Sequence, residues 1–462
     1  MDTRLELYEY VATHIVPGPR SISYFIPLIL LPTALSIPPS TLSRFQLSCI
    51  FLPMIYGCLA HSYIYGGGPD VISINVWIWS TVLLALQDCR ESFKYVHVRS
   101  NSQPLSHESK HAKEEMVPQA SKRNSSKIGE VNLVEEAYPS DLYRRICWVL
   151  TLLVSIRLSG WKIGDPYHDK NQPPPRVTRV EFLKIMARLF LLSYLVLDTA
   201  AFYSHFDAYF TQVNIGIDDP IAPKSDAPIF FHFLEILPPR LVRCSAIAAQ
   251  IFGIISFPGG TLGFALITMV NWAGLISDEW SPQSWPLFFG PFSSVRDRGI
   301  RGLWGTWWHQ TMRYPTSIPG RSLAEAFGVR NRSTLDYAFR TVSAFFLSGL
   351  VHTGLVPPEP THATIPTYQI KLHIAYFFWI QAVGFGIEMV VTKLVRLANP
   401  GFIRSRIAKF FTTIWVALWL CLTLPILAVA MKELGYARVY PFPISFWHGL
   451  TGRGWVTWSS EL

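Results

Sequence analysis

Charge is scarce in this sequence. Only 15% of its 462 residues are Asp, Glu, Lys or Arg, against about 25% in an ordinary water-soluble domain. That shortage excludes water as the chain's only solvent. Cysteine is also sparse: Cys49, Cys58, Cys89, Cys147, Cys244 and Cys421 lie far apart, with neither the close pairs of a zinc site nor the spacing of a disulfide framework. They read as small core residues, and no metal is expected. No internal repeat is visible, and no basic stripe interleaved with aromatics argues for nucleic acid. No small-residue cleavage pattern follows the first apolar run, so a retained helix is expected there rather than a removed signal peptide. Acids are outnumbered, with 31 Asp and Glu against 40 Lys and Arg, a net charge of +9. Basic loops facing a cytosolic leaflet explain that balance.

Apolar length is what the sequence has in abundance. Half of it is hydrophobic and 14% aromatic. A helix needs roughly 20 apolar residues to cross a hydrocarbon core, somewhat fewer when its flanks snorkel. Ser21 to Ile37, Phe45 to Tyr65, Val71 to Gln87, Phe182 to Tyr203, Tyr337 to Val356, Lys371 to Val391 and Ile407 to Ala430 qualify. Ile229 to Ile276 holds another two or three passes, broken at Pro238-Pro239 and Pro258-Gly259-Gly260. The expectation is an all-α, polytopic integral membrane protein, one membrane-embedded unit of about eight to ten spans. Residues 91–140 form a polar insertion too hydrophilic to pack a core, expected to be disordered or to lie on the membrane surface. Leu142 to Leu158, with Arg144, Arg145 and Arg157 at its ends, suits an interfacial helix.

Basic residues near the span ends give the orientation. Lys393, Arg396, Arg404, Arg406 and Lys409 mark residues 393–409 as cytosolic, and seven arginines mark residues 277–336 likewise. Pro357 to Gln369, without Lys or Arg, falls on the opposite side. The sequons at Asn124 and Asn331 are therefore expected to stay unmodified, because glycans are added in the lumen.

Two places hold candidate chemistry. His352 lies within the apolar helix FFLSGLVHTGL, one turn beyond Ser348 and Gly349, whose small size lets another helix or a substrate approach. An ionisable group at that depth usually faces a cavity or a polar partner. His352 is either a base that takes a proton from a hydroxyl or an interhelical hydrogen-bonding histidine and nothing more. Upstream, Trp304-Gly305-Thr306-Trp307-Trp308-His309-Gln310 with Arg313 would, if helical, place Trp304, Trp307 and Trp308 on one face. Gly305, His309 and Arg313 would follow one another along a second. That pattern fits either the mouth of a pocket for an anionic ligand or an interfacial aromatic belt. Asp198, Glu235 and Glu388, also in apolar runs, are expected to make interhelical contacts or to sit at helix ends.

Together Trp285-Pro286-Leu287-Phe288-Phe289-Gly290, the Trp304 to Arg313 segment and Phe346 to His352 resemble the wax-synthase-like branch of the membrane-bound O-acyltransferases, in particular fungal secondary-metabolite O-acetyltransferases. Arg157-Leu158-Ser159-Gly160-Trp161 resembles a further element of that branch. The resemblance implies transfer of an acyl group from a coenzyme A thioester to a hydroxyl in a tunnel through the membrane, with no bound cofactor. His352 matches the catalytic histidine and His309 the second characteristic polar position. Trp304, Trp307, Trp308, Arg313 and Ser348 are the expected substrate or acyl-CoA contacts. Many members carry an arginine pair where this chain has Thr306-Trp307. The resemblance favours acetyl-CoA with an apolar terpenoid or meroterpenoid alcohol, in the endoplasmic reticulum membrane. Long-chain wax synthesis and, from a different class, a transporter or lipid-binding protein are the alternatives. Transport predicts related halves, which the sequence lacks. A terpene cyclase would call for clustered acids for carbocation or diphosphate work, and Asp218-Asp219 is the one Asp-Asp pair.

Overall fold

The computed structural model describes residues 22–65, 70–99, 131–155, 158, 161–163, 178–212, 214–222, 227–257, 263–275, 288–309, 311–360, 363–438 and 440–457. Several stretches named above lie outside these residues: the centre of the polar insertion with its Asn124 sequon, Arg157, Ser159, Gly160, Pro258 to Gly260, Trp285 to Leu287 and Gln310.

The apolar runs are helices. In chain order they are α1 (Ile26–Leu35), α2 (Arg44–Tyr65), α3 (Val71–Ser80, continued as a wider π turn over Thr81–Leu86), α4 (Leu142–Val154), α5 (Arg179–Phe206), α6 (Pro239–Ile255), α7 (Gly263–Trp272), α8 (Ser293–Gly302), α9 (Arg313–Ala326), α10 (Thr334–Thr353), α11 (Thr367–Ala398), α12 (Arg406–Glu433) and the short α13 (Phe446–Leu450). Among the described residues, α2, α11 and α12 are long and apolar enough to cross a membrane on their own. The chain is a polytopic, predominantly helical membrane protein.

Several starts are set by local chemistry. Thr178 and Glu181 form a reciprocal capping box before α5, as do Asp70 and Ser73 before α3, each satisfying donors that a helix start leaves open. Asp141, Ser333 and Ser405 cap α4, α10 and α12. Within the 142–158 segment, α4 has one buried face: Trp148, Val149 and Leu152 are buried, while Leu142, Tyr143, Ile146 and Leu150 stay exposed.

The flanks of the polar insertion differ from expectation. Phe93–Arg99 (β1) pairs antiparallel with Val131–Ala137 (β2) from Phe93 opposite Ala137 to Arg99 opposite Val131, and β1 also pairs with Trp161–Lys162 (β3). Paired backbone groups need no apolar core to be satisfied, so a short sheet forms where composition alone indicates none. Cys89 precedes it, buried; burial pushes its thiol up to about 12, which suits an inert core residue. All six cysteines are free.

Two packing regions meet along α10. One gathers α1 to α4 with Tyr314 and Ile318 of α9 and Leu347 and Val351 of α10. The other gathers α5, α6, α11, α12 and the C-terminal segment with Val356. Apolar burial between helices gains little in lipid, so close backbone approach and polar contacts hold such a bundle. Gly320 of α9 lets the antiparallel α10 in, since a Cβ there would lie 2.3 Å from the Phe339 carbonyl oxygen. A buried ion pair joins α5 to α6: Arg243 donates to both carboxylate oxygens of Asp207 and to the carbonyls of Gly216, Ile217 and Asp219.

Candidate active site

His352 occupies the last turn of α10, on the seam between the two packing regions. Its Nδ1 lies 2.7 Å from the carbonyl oxygen of Ser348. A carbonyl only accepts, so this bond requires the proton on Nδ1 and leaves the lone pair on Nε2. That is the tautomer a general base needs. The ring stacks on Phe378 of α11, with centroids 4.1 Å apart and planes 29° from parallel, so the direction of Nε2 is fixed by two helices. Ser348 enters the site through its backbone. Gly349 beside it brings α11 close, because a Cβ there would fall 2.7 Å from Trp379 Nε1.

The tryptophan segment is not a continuous helix. Leu303–Trp307 forms a single π turn closed by Trp308 N–H donating to the Leu303 carbonyl at 2.8 Å, and Trp308 itself is extended. The helical rows expected of Gly305, His309 and Arg313 are therefore broken at Trp308, although Arg313 Nη1 still donates to the Gly305 carbonyl at 3.1 Å. Arg313 is exposed and opens α9. The three tryptophans also part company. Trp307 stacks on Phe252 of α6, centroids 5.9 Å apart, whereas Trp304 turns to α11 and contacts Phe377 and Phe378. Trp308 touches both neighbours. Gly290 N–H donates to the Trp307 carbonyl at 2.9 Å, which brings the Phe288 to Gly290 element onto this turn.

An aromatic chain thus runs from His352 through Phe378, Trp304 and Trp308 to His309. His309 Nδ1 lies 2.9 Å from Thr311 Oγ1, and its ring stacks on Phe288 with centroids 5.5 Å apart. Trp304, Trp308, His309 and His352 are all only partly buried. Among the described residues, no group of three His, Cys, Asp or Glu is arranged to hold a metal ion.

Sequence reasoning missed Gln381. This fully buried amide of α11 accepts from Trp304 Nε1 at 3.2 Å and Trp419 Nε1 at 3.0 Å, and donates to the Phe377 carbonyl and Thr423 Oγ1. The available signal was a lone glutamine inside the apolar run YFFWIQAVGF.

Comparisons with known proteins bear on the class of this chain. Residues 285–358 match the family described as the membrane bound O-acyl transferase family, a stretch running from just before the Phe288 to Gly290 element through His352. Acetyltransferase eriL of Hericium erinaceus is 24% identical over 71% of this chain and 78% of its own length. An acetyltransferase of Arthrobotrys oligospora is 24% identical over 70% of this chain and 67% of its own. Acetyltransferase aurG of Calcarisporium arbuscula is 28% identical over 62% and 65%. No solved structure matches. The protein is an acyltransferase, and its 285–358 segment is similar to the membrane bound O-acyl transferase family.

Proposed function

We propose that the enzyme transfers the acetyl group of acetyl-CoA to a hydroxyl of an apolar secondary metabolite, a terpenoid or meroterpenoid alcohol, by direct attack with His352 as general base. The observation that carries this reading is the Nδ1 contact of His352 to the Ser348 carbonyl, which points an unprotonated Nε2 away from its own helix. The fungal relatives named acetyltransferases support the acyl donor.

A thioester is already activated, so the enzyme's tasks are alignment and removal of one proton. The alcohol donates its O–H to Nε2 as its oxygen attacks the carbonyl carbon. The tetrahedral intermediate then expels the coenzyme A thiolate, which takes the proton from the imidazolium. Phe378, Trp304 and Trp308 form an apolar wall for the acceptor. His309 or Trp308 is the donor set for the oxyanion, and exposed Arg313 faces the coenzyme A phosphates. Acyl-CoA reaches the site from the cytosol, and the alcohol arrives through the bilayer of the endoplasmic reticulum.

Microsomes carrying the wild type or His352→Ala, given labelled acetyl-CoA and a panel of terpenoid alcohols, test the proposal. Ester formation should fall by roughly 10²-fold or more in the variant, the scale of a lost general base. Undiminished ester would remove His352 from the mechanism. Product only from long-chain acyl-CoA and fatty alcohol would make the enzyme a wax synthase.

A further inference from the structure

Glu388 sits in the second half of α11, 9% exposed, near the Arg301 guanidinium and the Trp415 indole. A carboxylate in such a place is costly unless donors surround it. Its donors are backbone: Ile300 N–H at 2.6 Å and Arg301 N–H at 3.2 Å. These belong to the segment that leads directly into the Trp304 turn. Just before them the chain breaks from helical geometry at Gly299, with φ +63° and ψ −138°, so Ile300 begins a new helical stretch whose first N–H groups have no partner within it. A cap from the preceding residue would ordinarily serve them. Here that residue is Gly299, which has no side chain, and a Cβ on it would lie 2.0 Å from Glu388 Oε2. The glycine makes room for a cap supplied by another helix.

We propose that Glu388 is a positioning residue for acyl transfer: as the N-terminal cap of the 300–307 stretch, it sets where Trp304 and Trp308 stand relative to His352. The proposal rests on the functional reading given above. Its geometric basis is that α11 acts as a common ruler. Phe378, Gln381, Gly384 and Glu388 follow one another at three- and four-residue steps, one face of a helix. Phe378 holds the His352 ring, Gln381 holds the Trp304 indole, and Glu388 holds the start of the turn. Gly384, between them, admits Trp419, since a Cβ there would lie 2.4 Å from its ring. From Glu388 to Phe378 is about 15 Å along the helix, at 1.5 Å per residue. The Glu388 and Gln381 attachments lie at two heights along α11, so together they set the position and the tilt of the tryptophan segment against that helix.

The test compares Glu388→Gln, Trp304→Phe and the double variant in membranes, normalised to folded enzyme. Glutamine keeps one acceptor oxygen but loses the charge and the second acceptor. We expect kcat to fall at least fivefold with KM for acetyl-CoA changed less than twofold. The two substitutions should combine to less than the product of their separate effects, because both loosen one segment. In parallel, Thr306→Cys is labelled with maleimide and quantified by peptide mass spectrometry; adding Glu388→Gln should speed labelling severalfold. This arm reads the segment even if no acceptor alcohol is turned over, so it separates failure of the cap from failure of the acetyltransferase reading. Unchanged labelling, or kinetic effects that simply multiply, would overturn the proposal. So would loss of folded protein in both Glu388→Gln and Glu388→Ala, which would make the residue a determinant of folding.

Discussion

A histidine in an apolar helix has an undetermined tautomer until its hydrogen bond is known, and the Ser348 carbonyl fixes it for His352. The same reasoning applies to His309, whose Nδ1 meets Thr311 Oγ1. A hydroxyl both donates and accepts, so this contact leaves the tautomer of His309 open while fixing its ring. Replacing Thr311 with Val should therefore disorder His309 without removing it. We expect a drop in kcat of about fivefold, well short of the His352→Ala loss, since a positioning bond contributes roughly 1 kcal/mol. Single-turnover rates with saturating acetyl-CoA would measure it, and a loss equal to that of His309→Ala would show that Thr311 does more than orient. Gln381 makes a different kind of contribution. Replacing it with Leu removes the acceptor of the partly buried Trp304 N–H and of the buried Trp419 N–H, the latter at about 1–3 kcal/mol, so Gln381→Leu should lower the thermal midpoint in detergent as well as activity.

At the level of elements, long apolar runs were legible because only a helix satisfies its own backbone in lipid, and the seven runs read from composition all became helices or most of one. Three features were not. The π turn over Leu303–Trp307 and the break at Trp308 were hidden because periodicity reports a helix's face and not its winding. The β1–β2 pairing was hidden by the polar residues it encloses. The cap on residue 300 was invisible because its carboxylate comes from 88 positions later. The tight contact of α10 with α11 was half legible, through the small pair Ser348-Gly349. Gly349→Ala would push a methyl against Trp379 and the Ala375 carbonyl, at 2.7 and 3.0 Å. Overpacking of this kind costs about 1–3 kcal/mol. The variant should unfold at lower temperature and, by moving the backbone next to His352, lose activity out of proportion to its remaining folded fraction.

Across the whole molecule, the placement of the site follows from topology. The α9 to α10 hairpin and α11 alternate in direction, and Lys409 at the start of α12 pairs with Asp297 of α8 at 3.0 Å. The basic ends of α8, α11 and α12 thus lie together, as residues 393–409 and 277–336 require if both face the cytosol. From Glu388 the tryptophan segment runs along α11 away from that end to Phe378, whose ring stacks on His352 in the last turn of α10. Acyl-CoA is charged and water-borne while the proposed acceptor is apolar, and under the proposed mechanism the two would meet beside this aromatic segment. The orientation can be tested without substrate. In sealed microsomes with the cytosolic face outward, a membrane-impermeant maleimide should label Arg404→Cys at once and Glu359→Cys only after detergent, both positions being exposed. Asn331 should carry no glycan. Labelling of Glu359→Cys in intact vesicles would invert the bundle, put the Trp304 segment's entrance on the luminal side, and leave cytosolic acetyl-CoA without a route to His352.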